Sequence, residues 1–516
     1  MMKTGKKQAI RHAEKRRTST CTFADRVAQL SVSHYQATIP LSERAPQTCI
    51  ATILAHNSFT GNLFVLSMGV GTKFLSERCL RRETDNGNCY GSHVRDMHAE
   101  PLSRRAFRKK LTVEILNDLK KGYQTITPTN DTKNSILVRF SGLDGNSTIR
   151  YKLRQGITLH MYSSSAPCGN ATLKKFCKMS KEKFQNDLGP DEWPKTMHEP
   201  PPGHSIKLGE FALLLKKDNT DHSDDYVCMT IEDSSSSKQR GKPWPSKLSD
   251  DWTPPGTTIV EYRDKGSIHT CSDKILRWNY LGLQGSLLAG LLDEPLYLST
   301  LTVGRKLSGN VCRRAICCRL DVRIRRQPNL KSTSVFNHHH KYRINHPAVL
   351  GTSVYLNEGV VETGNNDGIR GQDVRFHSSI SWVWWLDHNM GKLECIESSG
   401  LLMNPSIDHQ QQKEEEMMTA MKNCTTNRII ASQVSTRELT SSFLEAYYLA
   451  TGIICAQNDH DKMKRADDKY TNNSFCTISG LRKIKRMCSP IHEEFKDFLL
   501  TNHKVLSQWQ RRNDEN

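Results

Sequence analysis

A strand that runs into a helix at the motif Pro167-Cys168-Gly169 limits most strongly what this chain can fold into. The apolar run at residues 156–162 predicts a buried strand, and a lysine-rich helical pattern follows the motif as far as Phe184. A second cysteine, Cys271, opens another predicted helix, which continues through residues 275–292. Strands that end where helices begin place side chains at the carboxyl edge of a sheet, where open α/β sheets bind ligands. The sequence therefore predicts an α/β fold with a ligand site at that edge.

Hydrophobic spacing predicts the other elements of the fold. Helical spacing is found at residues 23–35, at residues 98–119 and over most of residues 435–510, and strand-like runs occupy residues 49–55, 62–68, 296–303 and 380–385. Residues 135–140 and 156–162 are predicted to be adjacent strands. After the run at 62–68, Gly69 and Gly71 predict a turn where the backbone can approach a ligand closely.

Composition divides the chain into a short arm and one large domain. Residues 1–20 predict a basic flexible arm, which either touches RNA or is a solvated tail. Residues 21–516 predict the domain, interrupted at about residues 185–255 by a loop or insertion rich in Pro, Asp, Ser and Lys, with a short strand at 210–215. The triplet His338-His339-His340 is interpreted as a solvated loop, because three adjacent side chains cannot all face one ion.

A strong excess of positive charge favours a polyanionic partner. The 73 Lys and Arg exceed the 54 Asp and Glu by 19, which indicates nucleic acid or a polyphosphate; the alternative is a merely soluble basic surface. The first twenty residues lack the apolar segment of a signal peptide, and the longest apolar run, residues 281–292, is too short to span a bilayer. We therefore expect a protein of the nucleus or cytoplasm with no membrane partner, whose 16 cysteines are thiols or metal ligands.

The stretch from Asp96 to Pro101 contains a histidine two residues before a glutamate, His98 and Glu100. In zinc-dependent nucleobase deaminases such a histidine binds the metal and the glutamate shuttles protons. The usual P-C-x-x-C partner motif is incomplete, because Ala171 stands three residues after Cys168. A third ligand must come from elsewhere, and Cys271 occupies the same kind of position at a helix start, where the thiolate is favoured. Cys177, deep in a predicted helix, is interpreted as a core thiol.

Taken together, these motifs resemble the eukaryotic adenosine-to-inosine RNA deaminases. The resemblance is carried by Asp96-Met97-His98-Ala99-Glu100, by Pro167-Cys168-Gly169 and by the run from Cys271 to Asn279, with support from Ser67-Met68-Gly69-Val70-Gly71-Thr72-Lys73, Gly285-Ser286-Leu287-Leu288 and Glu294-Pro295-Leu296-Tyr297-Leu298-Ser299. It covers about residues 23–512. It implies a three-layer α/β zinc deaminase core, similar to cytidine deaminase, with a mixed sheet, insertions and carboxyl-terminal helices.

The resemblance also implies a set of functional residues. His98, Cys168 and Cys271 would bind Zn²⁺, and Glu100 would shuttle protons. Asp96 would contact the metal ligands without binding the metal itself. Inositol hexakisphosphate would be bound by residues that match the family's positions, namely Arg104, Arg105, Lys274, Arg277, Ser286 and Trp509, with Lys485 and Lys496 as further candidates. Thr72 and Lys73 match the family's nucleotide-contacting loop. A purely structural zinc site is the alternative, but it would prefer a fourth protein ligand and has no use for Glu100.

The function implied is hydrolytic deamination of adenosine to inosine in tRNA, at position 37 of alanine tRNA. Family members that edit double-stranded RNA carry extra RNA-binding domains ahead of the catalytic one, whereas about twenty residues precede it here, and this favours tRNA. Three alternatives remain: an editor of structured messenger RNA, a catalytically silent RNA-binding relative, and a structural polyphosphate-binding protein.

Overall fold

The fold is described from a computed structural model of the chain. It describes residues 21–44, 48–75, 90–121, 134–140, 149–169, 171, 260–262, 266–307, 309–318, 320, 341–352, 354, 356, 380–387, 389–403, 430–453 and 477–501. The predicted basic arm, the helix that contains Cys177, the insertion, the histidine triplet and Trp509 lie outside these residues. Among the described helices, none is both long and apolar enough to cross a membrane.

A seven-stranded mixed sheet forms the centre of the fold. Its strands are β1 (Ile50–Asn57), β2 (Leu63–Val70), β7 (Ile157–Ser163), β10 (Leu298–Val303), β11 (Ala348–Gly351), β12 (Ser381–Asp387) and β13 (Met390–Ile396). They are arranged in the order β11-β10-β7-β1-β2-β12-β13. β10 runs parallel to both of its neighbours, and the other pairs are antiparallel. The predicted α/β class with a mixed sheet is confirmed.

Three pairs of short strands lie outside the central sheet. They are β3 (Thr72–Phe74) with β4 (Asp96–His98), β5 (Leu137–Phe140) with β6 (Arg150–Leu153), and β8 (Val260–Tyr262) with β9 (Gly266–Ile268). The prediction that residues 135–140 and 156–162 are adjacent strands is wrong, because β5 pairs with β6 while β7 joins β1 and β10. The turn predicted after residues 62–68 is wrong at Gly69, which lies inside β2, whereas Gly71, with a φ of 152°, does separate β2 from β3.

The described helices are α1 (Phe23–Thr38), α2 (Ala99–Lys120), α3 (Cys271–Leu281), α4 (Gly285–Ala289), α5 (Gly309–Arg313), α6 (Thr436–Thr451), α7 (Ile478–Cys488) and α8 (Pro490–Thr501), with a short 3₁₀ turn at Leu41–Glu43 and a π-helical turn at Arg314–Cys318. The single helix predicted for residues 275–292 is wrong. α3 ends at Leu281 because Gly282 has a φ of 85°, and the Gln284 side-chain amide donates to the Leu281 carbonyl at 2.9 Å.

Helices cover both faces of the sheet. Thr52 of β1 shares a 2.6 Å hydrogen bond with Ser31 of α1. Its neighbour Ala51 points to the opposite face and pairs with Gly69, against which α2 packs. The fold therefore has three layers: α1, the sheet and α2. A Cβ added to Gly69 would lie 2.3 Å from the Ala99 carbonyl oxygen, so this glycine lets the first turn of α2 approach β2 closely.

Candidate active site

His98 is the last residue of β4 and stands immediately before α2, which places it at an edge of the fold's core. Its Nδ1 lies 2.6 Å from Asp96 Oδ1, and its backbone N–H donates to the same oxygen at 3.0 Å. Two contacts to one carboxylate oxygen fix the orientation of the ring. Because Nδ1 is occupied by Asp96, Nε2 is the nitrogen that remains for a metal.

Asp96 also binds Lys274, whose ammonium donates to Oδ2. Burial alone would raise the pKa of Asp96, but the charges of Lys274 and His98 hold it well below its usual range. Burial likewise opposes protonation of His98, yet Asp96 outweighs it and raises the imidazole pKa to about 9. The carboxylate of Asp96 is therefore a fixed negative charge between a ring and an ammonium.

Cys168 and Cys271, which are 103 residues apart, meet at the amino-terminus of α3. The backbone N–H of Cys271 donates to Cys168 Sγ at 3.2 Å, and that of Ser272 donates to the Cys168 carbonyl at 3.1 Å. Gly169 has a φ of +99°, and a Cβ there would lie 2.3 Å from Thr270 Oγ1. The glycine of the Pro-Cys-Gly motif is required because the loop closes tightly against the start of α3.

The two thiols differ in pKa because a hydrogen bond joins them. The hydrogen bond from Cys271 lowers the pKa of the Cys168 thiol to about 7, against the effect of burial and with help from His98. The same hydrogen bond, together with burial, raises the pKa of Cys271 well above its ordinary value. The pair therefore loses its first proton easily, and a thiolate is the form in which cysteine binds metals.

Glu100 lies in the first turn of α2 with only 6% of its surface exposed. The hydroxyl of Ser163, at the end of β7, lies 3.1 Å from Glu100 Oε1 and 2.7 Å from the Ser165 carbonyl oxygen, so the two acceptors share its one proton. The negative charge of Glu100 raises the pKa of both Cys168 and Cys271, so its carboxylate lies near enough to interact with both thiols. Ser163 was not among the predicted site residues. Its position at the end of a strand that leads to Cys168 could have indicated that it lies near the site.

The donor atoms of His98, Cys168 and Cys271 do not all lie within 4.8 Å of one another. Among the residues that the structure describes, the three possible metal donors within 4.8 Å of one another are Cys317, Cys318 and His346, in a different part of the fold. His98 nevertheless lies near enough to Cys168 for each charge to shift the other's pKa.

A cationic cavity of about 230 Å³ adjoins the site, on the far side of Asp96 and Lys274. Six of the predicted polyphosphate residues line it, and the other lining residues include Arg108, Trp278 and His492; the six are Arg104, Arg105, Lys274, Arg277, Ser286 and Lys485. Lys496, the other lysine considered, forms an ion pair with Glu493 and is not among the lining residues.

Like charges crowd this cavity. Burial, followed by the charges of Arg108, Arg277 and Arg105, lowers the pKa of Arg104 well below its ordinary value. Burial is also the main cause that lowers the pKa of Arg108 to about 10 and that of Lys485 to about 7. The Nε atoms of Arg104 and Arg108 are buried without a hydrogen-bond partner. A bound anion would satisfy such donors and reduce the repulsion between the side chains.

The model of the adenosine-deaminase (editase) domain family matches residues 67–512, which is most of the chain. The chain belongs to that family. The editase match includes every residue of the site described above, from the strand that ends in His98 to the helices that close the cationic cavity.

Individual editase relatives are distant. The chain is 28% identical over 344 residues to the double-stranded RNA-specific adenosine deaminase of Mus musculus, a match of 65% of this chain and 24% of the relative. It is 30% identical over 264 residues to the double-stranded RNA-specific editase Adar of Drosophila melanogaster, covering 51% of this chain and 30% of that protein. It is 23% identical over 354 residues to tRNA-specific adenosine deaminase 1 of Homo sapiens, covering 55% and 66%. The chain thus matches about a quarter to two thirds of these relatives' lengths.

The remaining predicted residues of this editase chain fall beside the site. Thr72 pairs with His98 and Lys73 with Met97 in the β3–β4 ribbon, so the predicted substrate loop is joined directly to the histidine strand. Arg108 was not assigned to the cavity from the sequence, although its spacing of four residues from Arg104 on one helix face was a usable signal. No pattern in the sequence indicated that His492 lines the cavity.

Proposed function

We propose that this editase chain catalyses hydrolytic deamination of adenosine to inosine in RNA. The observation that carries the proposal is the buried Glu100 carboxylate, which Ser163 contacts and whose charge acts on the Cys168–Cys271 pair. A purely structural metal site has no use for a buried carboxylate that is not a ligand. A silent RNA-binding relative would likewise have no need of this arrangement, so both alternatives are disfavoured.

The donors fit zinc. One imidazole and two thiols, one of which is already acidic, form the three-ligand set of catalytic zinc sites, which keep a fourth position open for water. His98, Cys168 and Cys271 would hold the ion, and Asp96 would keep the imidazole in one orientation. When bound, zinc supplies a Lewis acid that brings the pKa of water close to neutrality.

Glu100 then has two tasks. Its carboxylate takes a proton from the attacking water, whose oxygen bonds to C6 of the adenine ring, and delivers protons to the ring nitrogen and the departing amine. The C6–N6 bond breaks, ammonia leaves, and inosine remains, so one water is consumed for each ammonia released. Burial of Glu100 and its hydrogen bond from Ser163 hold the carboxylate ready for both transfers.

The cationic cavity supports inositol hexakisphosphate as a second bound group. The arginines and lysines that line it repel one another unless an anion with several charges lies between them. Lys274 and Asp96 line the cavity and connect it to the metal donors. A bound anion would therefore fix the position of the Lys274 ammonium, which binds the Asp96 carboxylate. Trp509 remains a predicted contact.

The substrate proposed is tRNA, at adenosine 37 of alanine tRNA, in the nucleus or cytoplasm. The likeness to tRNA-specific adenosine deaminase 1 supports it. An anticodon-loop adenosine is unpaired, so extracting it costs less than flipping a base from a duplex. Structured RNA, messenger RNA included, is the second candidate, because the identities to enzymes named for double-stranded RNA, 28% and 30%, are higher.

The decisive assay incubates the full chain with alanine tRNA that carries adenosine 37, and in parallel with a duplex RNA, and measures inosine by mass spectrometry of nucleosides. We expect inosine in the tRNA, and none with Glu100→Gln, while the exposed Glu43→Gln serves as the matched control. Inosine in the duplex alone would transfer the activity to the second candidate. No inosine in either RNA, with zinc present, would overturn the proposal.

A pair of lysines on α7 tests the polyphosphate. Lys485 lines the cavity, and Lys483, two residues earlier, is exposed on the same helix. Phosphate-rich ligand released by denaturing the purified protein should fall sharply in Lys485→Met and stay at the wild-type level in Lys483→Met. Equal ligand in both variants would remove Lys485 from the site.

A further inference from the structure

A second cluster of soft metal donors lies away from the proposed catalytic zinc. Cys317 and Cys318 are buried, and the half-buried His346 stands just before β11. The two sulfurs are 3.7 Å apart, Cys318 Sγ lies 3.9 Å from His346 Nδ1, and all three donor atoms lie within 4.8 Å of one another. Two thiols and an imidazole form a donor set that zinc prefers.

The two cysteines lie in a local distortion of the backbone. Adjacent side chains on an α-helix point about 100° apart, so neighbouring cysteines normally diverge. Here α5 passes into the π-helical turn Arg314–Cys318, which has more residues per turn and a smaller angle between neighbours. Such turns within helices are rare and occur frequently at functional sites.

The third donor is fixed to the same framework by Asn279, near the end of α3. The Asn279 amide donates to the Ile316 carbonyl at 3.0 Å, within the π-helical turn. The Asn279 carbonyl and side-chain oxygens accept from the backbone and side chain of Asn345, at 2.7 and 3.1 Å. Asn345 is the residue before His346. One side chain therefore holds both segments that supply the donors.

The distances match a tetrahedral zinc site. With Zn–S near 2.3 Å and Zn–N near 2.0–2.1 Å, the tetrahedral edges are about 3.8 Å between two sulfurs and about 3.6 Å between sulfur and nitrogen. The observed 3.7 Å and 3.9 Å lie close to these values, and Cys317 Sγ lies within 4.8 Å of the donor nitrogen of His346. We propose that Cys317, Cys318 and His346 bind a second zinc ion, with a water molecule as its fourth ligand.

This ion would be separate from the catalytic one. Cys271 begins α3 and Asn279 stands eight residues later, about 12 Å along the helix at 1.5 Å per residue. The second site therefore braces the far end of the helix whose first residue is a proposed catalytic ligand. The inference does not depend on the reaction, since its donors take no part in the mechanism proposed above.

Metal content of the purified full chain, measured by mass spectrometry, tests the site. We expect two zinc ions per wild-type chain, one in Cys318→Ala and in His346→Ala, and two in Cys488→Ala, a buried cysteine of the same core used as the control. Cys271→Ala should keep the one zinc of the second site.

The two proposals fail differently. One zinc in the wild type, lost in Cys271→Ala and kept in Cys318→Ala, would overturn the second site and leave the catalytic site intact. One zinc that is lost in Cys318→Ala and kept in Cys271→Ala would support the second site and remove the catalytic one. Should the variants fail to fold, cadmium-113 to proton correlation NMR of the cadmium-loaded wild type decides the question: a resonance coupled to the β-protons of Cys317 and Cys318 is expected, and its absence would overturn the second site.

Discussion

Gly69→Ala should damage catalysis without touching any group that takes part in it. The added Cβ would lie 2.3 Å from the Ala99 carbonyl oxygen, 2.5 Å from the Ser103 amide nitrogen and 2.6 Å from Leu102 Cβ. These atoms belong to the backbone and first atoms of α2, so no flexible side chain can give way. Since ordinary contact begins at 3.4 Å, the start of α2 must retreat from β2 by about 1 Å.

That retreat would move Glu100 away from the thiol pair, because Glu100 lies in the same turn of α2. A misplacement of about 1 Å costs about 100-fold in rate, or about 2.7 kcal/mol of transition-state stabilisation. Overpacking should also lower the free energy of unfolding by about 1–3 kcal/mol.

The assay is single-turnover inosine formation together with chemical unfolding. The matched control is Gly351→Ala in β11, where the nearest atom is the flexible end of Leu307 at 3.2 Å, and we expect near wild-type rates there. A Gly69→Ala protein with full activity would refute the idea that close packing of α2 on β2 positions the site.

Two further predictions concern hydroxyl and imidazole contacts. Ser163→Ala removes the hydrogen bond to Glu100 and should lower kcat by about tenfold with little change in KM, since a hydrogen bond to a charged group contributes about 1.5–3 kcal/mol; Ser163→Thr should restore part of kcat, and a change in KM alone would contradict a positioning role. Burial, with a smaller effect of His56, lowers the pKa of His160 to about 4. The neutral side chain therefore contributes its full stabilisation of the fold above the unfolded-state pKa of 6.5. This stabilisation is lost as the pH falls toward 4. Unfolding free energy should drop from pH 7 to pH 5 by about 2 kcal/mol more in wild type than in His160→Gln, and equal drops in the two proteins would refute it.

Local sequence patterns accounted for much of the fold. The spacing of apolar residues located α1, α2 and the strands β1, β2, β10 and β12 to within a few residues. The pairing of distant strands was harder to predict from the sequence. Both β5 and β7 have strand-like sequences, and only the three-dimensional packing assigns them to different sheets. The break at Gly282 depends on a positive φ that a helical apolar pattern does not reveal.

The candidate site shows the same division. The motif at His98 and Glu100 is local, and both residues lie where it predicts, at the junction of β4 and α2. Cys168 and Cys271 are 103 residues apart, and what linked them in the sequence was their common position at helix starts together with the resemblance to a family. The contact of Ser163 with Glu100 and that of Cys318 with His346 each join segments that are far apart in the chain, so these partners follow only from tertiary packing.

Oxygen transfer from solvent is the most direct test of the central claim that Glu100 and the three metal donors hydrolyse adenosine in RNA. The full chain would be incubated with its RNA substrate in water enriched in ¹⁸O, and the inosine analysed by mass spectrometry. We predict one ¹⁸O atom at the 6-position of each inosine formed by the wild type, and no inosine from Glu100→Gln. Inosine that lacks the label, or labelled inosine formed equally well without Glu100, would contradict the account.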